Sequence, residues 1–402
     1  MKVVLLGGDL NAYSVAISFH KAYGVRSTVF CRYRCGITAV SSIVDLRIEP
    51  NLLDDATGTL TLLDFARSMS ERPYLVACGD WYMAFLMRNR EKLKDAYQFL
   101  IPPSALYERV CEKAEFYALL EKEHLPYPKS TVLSREELSI GRFLSVQYPA
   151  VLKPSNSVEY YAHPFAGMEK VYYPKTPKQA MDISEKIFSS GYKRCLILQE
   201  KIGSEESPYT SKTLTLFSDS DGKVRRGALA EVLVEENAIG ARGNYAAVLT
   251  RPLDALTCRL VAFLEKIGYV GIANFDILSH QGKQYILELN PRQGRSCDYL
   301  RGAGISIANF LVDALDNRQM QTDLSCRVSV WRAIPFRAVM QRVASDTKEQ
   351  LRSLKKRKRV FSPFAYEGEK PSLWRNLYLP IHAMRRTLAL NKSGNDHEAR
   401  NV

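Results

Sequence analysis

Short apolar runs that stop at glycine or an acid punctuate the first hundred residues. Residues 2–6 (Lys-Val-Val-Leu-Leu) end in Gly7-Gly8-Asp9, and residues 74–78 end in Gly79-Asp80. Between them, residues 12–23 read as a helix and residues 27–30 as a further strand. Strand, turn and helix in alternation predict a parallel sheet. Ligands of such sheets sit beyond the carboxyl ends of the strands, here at Gly7-Gly8 and Gly79-Asp80. The paired glycines serve equally well as a tight turn and form no dinucleotide fingerprint.

Further on the pattern becomes mixed. Val110, Ala114 and Tyr117 at helical spacing predict one helix over residues 108–123, stopped before Pro126 and Pro128. Strands are expected at residues 149–153, 168–173, 195–200, 212–218 and 224–234. Helices are expected at 177–189, 254–267 and 305–315. Between the last two helices lies the sharpest pattern in the chain. Phe275 and Ile277, then Tyr285, Leu287 and Leu289, alternate on either side of a turn at residues 279–283. That period predicts a hairpin with Asn274 and Asp276 on one face, and with Glu288 and Asn290 likewise together. Two carboxylates and an amide oxygen form a hard-oxygen site of the kind Mg²⁺ takes. Arg292 follows, and a fixed guanidinium there suits an anionic transition state. A solvated hairpin edge is the plain alternative.

Composition narrows the class. The 402 residues suffice for two or three domains, and 46% apolar with 25% charged residues is ordinary for a soluble protein. Apolar runs such as residues 3–6 are far too short to span a bilayer, and the amino terminus reads as a strand, not a signal peptide. Eight scattered cysteines lack zinc-ligand spacing and suggest reduced thiols in a cytoplasmic protein. The six histidines show no Ser-His-Asp or Cys-His arrangement. Of the net charge of +13, residues 331–402 carry +10, so a nearly neutral body bears a basic tail. Within it, residues 355–359 are all Lys or Arg, and residues 373–390 mix arginines with bulky apolar side chains. The tail reads either as a solvated or weakly packed extension or as attachment to an anionic membrane surface, with Trp374 and Tyr378 suited to the interface. Pro380 is expected to interrupt any long helix there. Nucleic acid is disfavoured, because the body has no basic stripe interleaved with aromatics.

Taken in order, Lys113, Lys153, Gln199-Glu200-Lys201, Asp276, Glu288 and Asn290 resemble the ATP-grasp carboxylate–amine ligases over residues 105–310. The resemblance implies an α/β and α+β chain. A Rossmann-like pre-ATP-grasp domain (1–103) would precede an ATP-grasp domain (104–330, lid about 150–200) and a basic extension (331–402). It implies that Lys113 and Lys153 place charge on the phosphates of ATP and near the adenine, with Ser155 and Ser157 donating to phosphate. Glu200, Lys201 and Ile202 would hold the adenine, with Glu205 or Glu206 at the ribose. Asp276, Glu288 and Asn290 would carry two Mg²⁺ ions, and Arg292 or Arg251 would steady the transferring phosphoryl group. The implied chemistry is formation of an acyl phosphate and its capture by an amine. One departure concerns the loop after Lys153, residues 155–167, which has serines and tyrosines but no early glycine to close over a triphosphate. That loop, the length and the basic extension resemble the D-aspartate ligases of peptidoglycan synthesis. The implied partners are then D-aspartate and the lysine of a precursor stem peptide. Arg242, Arg251, Arg292 and Arg295 are candidates for the donor's second carboxylate. A ligase for another amino acid and a nucleotide-binding regulator without catalysis are the competing readings.

Overall fold

The computed structural model describes residues 1–204, 206–236 and 244–398, and the side chains among them apart from 391–398. In chain order the strands are β1 (Val3–Leu6), β2 (Ser27–Cys31), β3 (Val44–Ile48), β4 (Tyr74–Ala77), β5 (Ser130–Leu133), β6 (Ala150–Pro154) and β7 (Leu196–Glu200). They continue as β8 (Thr210–Ser218), β9 (Val224–Glu235), β10 (Tyr245–Arg251), β11 (Gly271–His280), β12 (Lys283–Asn290), β13 (Val330–Arg332) and β14 (Val360–Phe361). The chain forms two compact units. One holds residues 1–101, 213–274 and 292–402, and the other holds 102–212 and 275–291.

In the first unit, β3-β2-β1-β4 form an all-parallel sheet in which Leu5 is level with Val29 and Val76. Every residue of β1 and β4 is buried, as expected of parallel strands covered on both faces. The helix Leu10–Tyr23 starts at once after β1. Asp9 caps it by accepting from Asn11 N at 3.0 Å, and Gly24 ends it in the left-handed region. A second sheet runs β8-β9-β10-β13-β14, with β10 antiparallel to both of its neighbours and β14 parallel to β13.

The basic tail is therefore not a solvated extension. β13 and β14 are part of a sheet, Trp331 is fully buried, and the helix Ser345–Lys356 buries Leu351 and Leu354. Pro380 does not break the last helix either, which runs through it from Leu373 to Glu398. Proline removes one backbone hydrogen bond. Anchors on both sides of it outweigh that loss: Arg375, buried against Tyr13 and Glu369, and the buried Leu390. Among the described residues, no helix is long and apolar enough to cross a membrane.

In the second unit, β7 lies between β5 and β6 and is antiparallel to both, with the helix Pro177–Ser189 in the same core. Two expectations fail here. Residues 108–123 are two helices, Ser104–Cys111 and Lys113–Lys122, because Glu112 is extended and Lys113 N donates to Ser155 O at 3.1 Å. Residues 168–173 form no strand. Their one ladder contact is the bridge Tyr172–Leu152, and the loop folds around the Tyr172 hydroxyl, which bonds Tyr160 at 2.8 Å and Glu169 N at 2.9 Å.

Candidate functional site

Within the second unit, the hairpin β11–β12 supplies the acids. Asn290 Nδ2 donates to Asp276 Oδ2 at 3.2 Å, so those two predicted ligands do meet. Glu288 Oε2 lies 3.1 Å from Lys113 Nζ, in a pair whose lysine side chain is only 10% exposed. Burial would raise the Glu288 carboxyl. Lys113, then Lys170 and Lys153, outweigh it and hold the group well below the usual carboxylate range. Burial likewise opposes the charge on Lys113, yet Glu288 and Tyr117 keep its pKa above the ordinary lysine value.

Lys153 sits in a different balance. It closes the apolar strand β6 and is buried, and Nζ donates to the neutral hydroxyl of Tyr117 at 3.1 Å. Burial first, and Lys113 second, pull its pKa down to about 7. A buried ammonium with this surround has room for an anion in its electrostatics.

Tyr117 is the residue that sequence reading missed. It had counted only as an apolar position on a helix. Its hydroxyl accepts from Lys153 and from Gln199 Nε2 at 3.0 Å, and donates to Leu287 O at 2.9 Å. Its ring stacks on Tyr127 at 4.9 Å. Lys170 was missed as well, since it lies in the segment expected to be a strand.

Ser155 is fully buried, and its hydroxyl accepts from Ala114 N at 3.0 Å, tying β6 to the start of the helix Lys113–Lys122. Ser157 opens the short helix Ser157–Ala162, which Asn156 caps, so the glycine-poor loop begins as regular structure. Glu200 ends β7 and accepts from Lys129 N at 2.7 Å, while Lys201 is exposed and Ile202 is buried. Glu206 accepts from Ser204 Oγ at 3.2 Å. Glu205 and Arg242 lie outside the described residues. Asn274 does not join the acids. Its amide oxygen accepts from Thr213 and Thr215 in the first unit, at 3.1 and 2.9 Å.

The arginines belong to the first unit. Arg292 grips Asp80 through two bonds, Nε to Oδ1 at 2.7 Å and Nη2 to Oδ2 at 2.8 Å. Arg251 donates to Glu231 at 2.9 Å and to Gln350 at 3.2 Å. Arg295 donates to Glu236 at 3.1 Å and lies 3.6 Å from Asp9.

The donor set fits Mg²⁺ with phosphate. Two carboxylates and an amide oxygen fall short of a full protein cage, which is how Mg²⁺ shared with phosphates is usually held. Lys113, Lys170 and Lys153, the lysines whose charge is felt by Glu288, supply the matching positive charge for phosphates.

No family model matches the chain. A D-aspartate ligase of Enterococcus faecium (strain Aus0004) is 30% identical over 363 residues, spanning 87% of this chain and 86% of that protein. Among solved structures, the biotin carboxylase domain of the Hydrogenobacter thermophilus 2-oxoglutarate carboxylase aligns with a TM-score of 0.62 at 15% identity. It covers 82% of this chain and 73% of that one. N5-carboxyaminoimidazole ribonucleotide synthetase from Thermus thermophilus aligns at 0.58 and 15%, covering 82% of each. These last two likenesses concern the fold, whereas the first spans nearly the whole sequence. On that evidence the chain belongs to the D-aspartate ligase family.

Proposed function

We propose that this protein uses ATP and Mg²⁺ to join the carboxylate of an amino acid to an amine. The observation that carries the reading is the pairing of buried Lys113 with the hairpin acid Glu288, with Lys153 buried on Tyr117 beside it and Asp276 bonded to Asn290 on the same hairpin. A donor carboxylate oxygen attacks the γ-phosphorus of ATP, ADP leaves, and an acyl phosphate remains. The amine nitrogen attacks the acyl carbon, phosphate departs, and the nitrogen loses a proton to leave an amide. Mg²⁺ would neutralise charge on the phosphates during the first displacement. Asp276, Glu288 and Asn290 would hold it, and Lys113 and Lys153 would fix the phosphates by charge. Positioning and charge supply the catalysis, so no side-chain nucleophile is needed.

The name of the Enterococcus relative supports D-aspartate as donor. A lysine-bearing precursor peptide of the cell wall is the acceptor that goes with it. The test is ADP release with D-aspartate, L-aspartate and a panel of other amino acids, each with a lysine-containing stem peptide. D-aspartate should dominate. A preference for another donor would keep the ligase and overturn the substrate, and ATP binding with no ADP release from any pair would overturn the ligase. Asp276→Ala should lower turnover by roughly 100-fold or more with the fold retained, and near-wild-type ADP release from it would refute the metal assignment.

The partner side of the reading extends to a lipid surface. Trp374, Leu377, Ile381, Met384 and Leu388 recur every three or four residues along the last helix and are all exposed, Trp374 by 74%. With the cationic residues 355–359 in the same unit, this stripe supports contact with an anionic bilayer.

A further inference from the structure

Two of the eight cysteines come together at one end of the parallel sheet in the first unit. Cys31 ends β2 and is buried, whereas Cys35, in the turn that follows, is partly exposed. Both thiols donate to one acceptor, the carbonyl of Tyr33, Cys31 at 3.1 Å and Cys35 at 3.6 Å. They also border one small space. A methyl group on Gly8 would stand 3.1 Å from the Cys31 sulfur and 3.0 Å from that of Cys35. Glycine at position 8 is what keeps that space open.

A lone buried thiol packs like a small apolar side chain. Two that share an acceptor and a space can be joined by a small movement of Cys35. Exposure makes Cys35 the attacking thiol, and burial makes Cys31 the resolving one. Arg32 and Arg34 lie between them in the chain and are exposed, so an anionic oxidant is drawn to the pair. Burial, then the neighbouring Cys35, pushes the Cys31 thiol up to about 11, and burial, then Asp9, raises Cys35 as well. The pair is therefore slow to oxidise near neutrality. Beyond Cys35, Gly36 packs so closely on the Tyr378 ring of the last helix that even a methyl group there would collide with it. Drawing Cys35 toward Cys31 displaces Gly36 from that ring.

We propose that Cys31 and Cys35 form a reversible dithiol–disulfide pair, oxidised by an anionic low-molecular-weight disulfide of the glutathione class, and that closing it unseats Tyr378 and loosens the last helix. The Cys35 thiolate attacks one sulfur of the oxidant, whose S–S bond breaks and expels a thiolate. The Cys31 thiolate then attacks the Cys35 sulfur of the mixed disulfide, forming the Cys31–Cys35 bond and expelling the second thiolate. The protein thiols are oxidised, the oxidant is reduced to two thiols, and the protons lost by Cys31 and Cys35 end on those. Two ordinary packing thiols are the competing account.

The test uses the full chain with glutathione disulfide, followed by peptide mapping without reductant. Cys31 should be found linked to Cys35, and dithiothreitol should undo the link. In Cys31→Ala, glutathione should stay attached at Cys35. Cys35→Ser, at a partly exposed position, should lose the link and decides if Cys31→Ala does not fold. Cys258 is exposed and serves as the internal control. Glutathione on Cys258 with no Cys31–Cys35 link would overturn the pair. The uncharged hydroxyethyl disulfide should form the link more slowly, and equal rates would overturn the choice of oxidant. Protease should cut the oxidised wild type within residues 373–390 roughly 3-fold faster or more than the reduced protein, with no such gain in Cys35→Ser. A link with unchanged cleavage would overturn the coupling to the helix.

Discussion

Tyr117 joins β6, β7 and β12 through a single hydroxyl, which touches Lys153, Gln199 and the Leu287 carbonyl. Lys153 therefore has its position fixed by a group that cannot neutralise it. The consequence is measurable. An unfolded lysine titrates near 10.4, and in the folded protein the Lys153 value falls to about 7. The folded state thus binds fewer protons between those values. The penalty for burying the charge is complete below pH ~7 and gone above pH ~10.4. Stability should rise with pH across that window, and Lys153→Met should flatten the rise in pH-dependent denaturation curves. A polyanion bound beside it should restore the charge, so nucleotide titrated at about pH 8 should take up protons. Calorimetry in two buffers of different ionisation enthalpy reads that uptake, and a buffer-independent heat would contradict the assignment. Lysine after an apolar strand was a legible signal, because charge has no reason to sit there unpaired. Tyr117 was not legible, since an aromatic at helical spacing is nearly always core and its three partners come from strands far away in sequence.

At the scale of elements, the hairpin was readable because its alternation is local and its turn is short. The fully buried strands β1 and β4 were readable as continuous apolar runs. β3 was not, since Val-Asp-Leu-Arg-Ile at a sheet edge leaves polar and exposed positions that imitate a loop. The helix break at Glu112 was hidden for another reason. Its cause is a backbone bond to Ser155, and no residue near Glu112 announces it. The last helix was misread through Pro380, whose effect was judged without the tertiary anchors. Those anchors form a buried network. Glu369 accepts from Tyr13 at 2.8 Å, from Ser41 and from Ser42 N, and Arg375 lies 3.4 Å from it. Arg375→Met would leave the Glu369 charge without its cation. The expected loss is about 3–5 kcal/mol, read as a lower denaturation midpoint, with early protease cleavage after residue 372. A midpoint within error of wild type would show that the helix is held elsewhere.

For the molecule as a whole, charge distribution was informative about where to look and misleading about what is there. The tail holds most of the net charge, yet it completes a sheet and presents two unlike faces on one helix. Its exposed stripe predicts flotation with vesicles rich in phosphatidylglycerol and none with neutral phosphatidylcholine. Trp374→Ser with Ile381→Ser should abolish the flotation, and added salt should weaken it. Salt-insensitive self-association without flotation would assign the stripe to a second copy instead. The hairpin has a consequence of a more mechanical kind. The chain leaves the first unit after Asn274 and returns to it at Arg292, so the acids ride on an excursion stitched down at both ends. One stitch is Asn274 on two threonines, and the other is Arg292 on Asp80, each two residues from a predicted ligand. Loosening a stitch should blur the aim of the ligands while leaving every ligand in place. Asn274→Ala should thus lower kcat about 10-fold or more and raise the Mg²⁺ concentration needed for half-maximal rate. Unaltered kcat and Mg²⁺ dependence would mean that the hairpin keeps its own shape untethered.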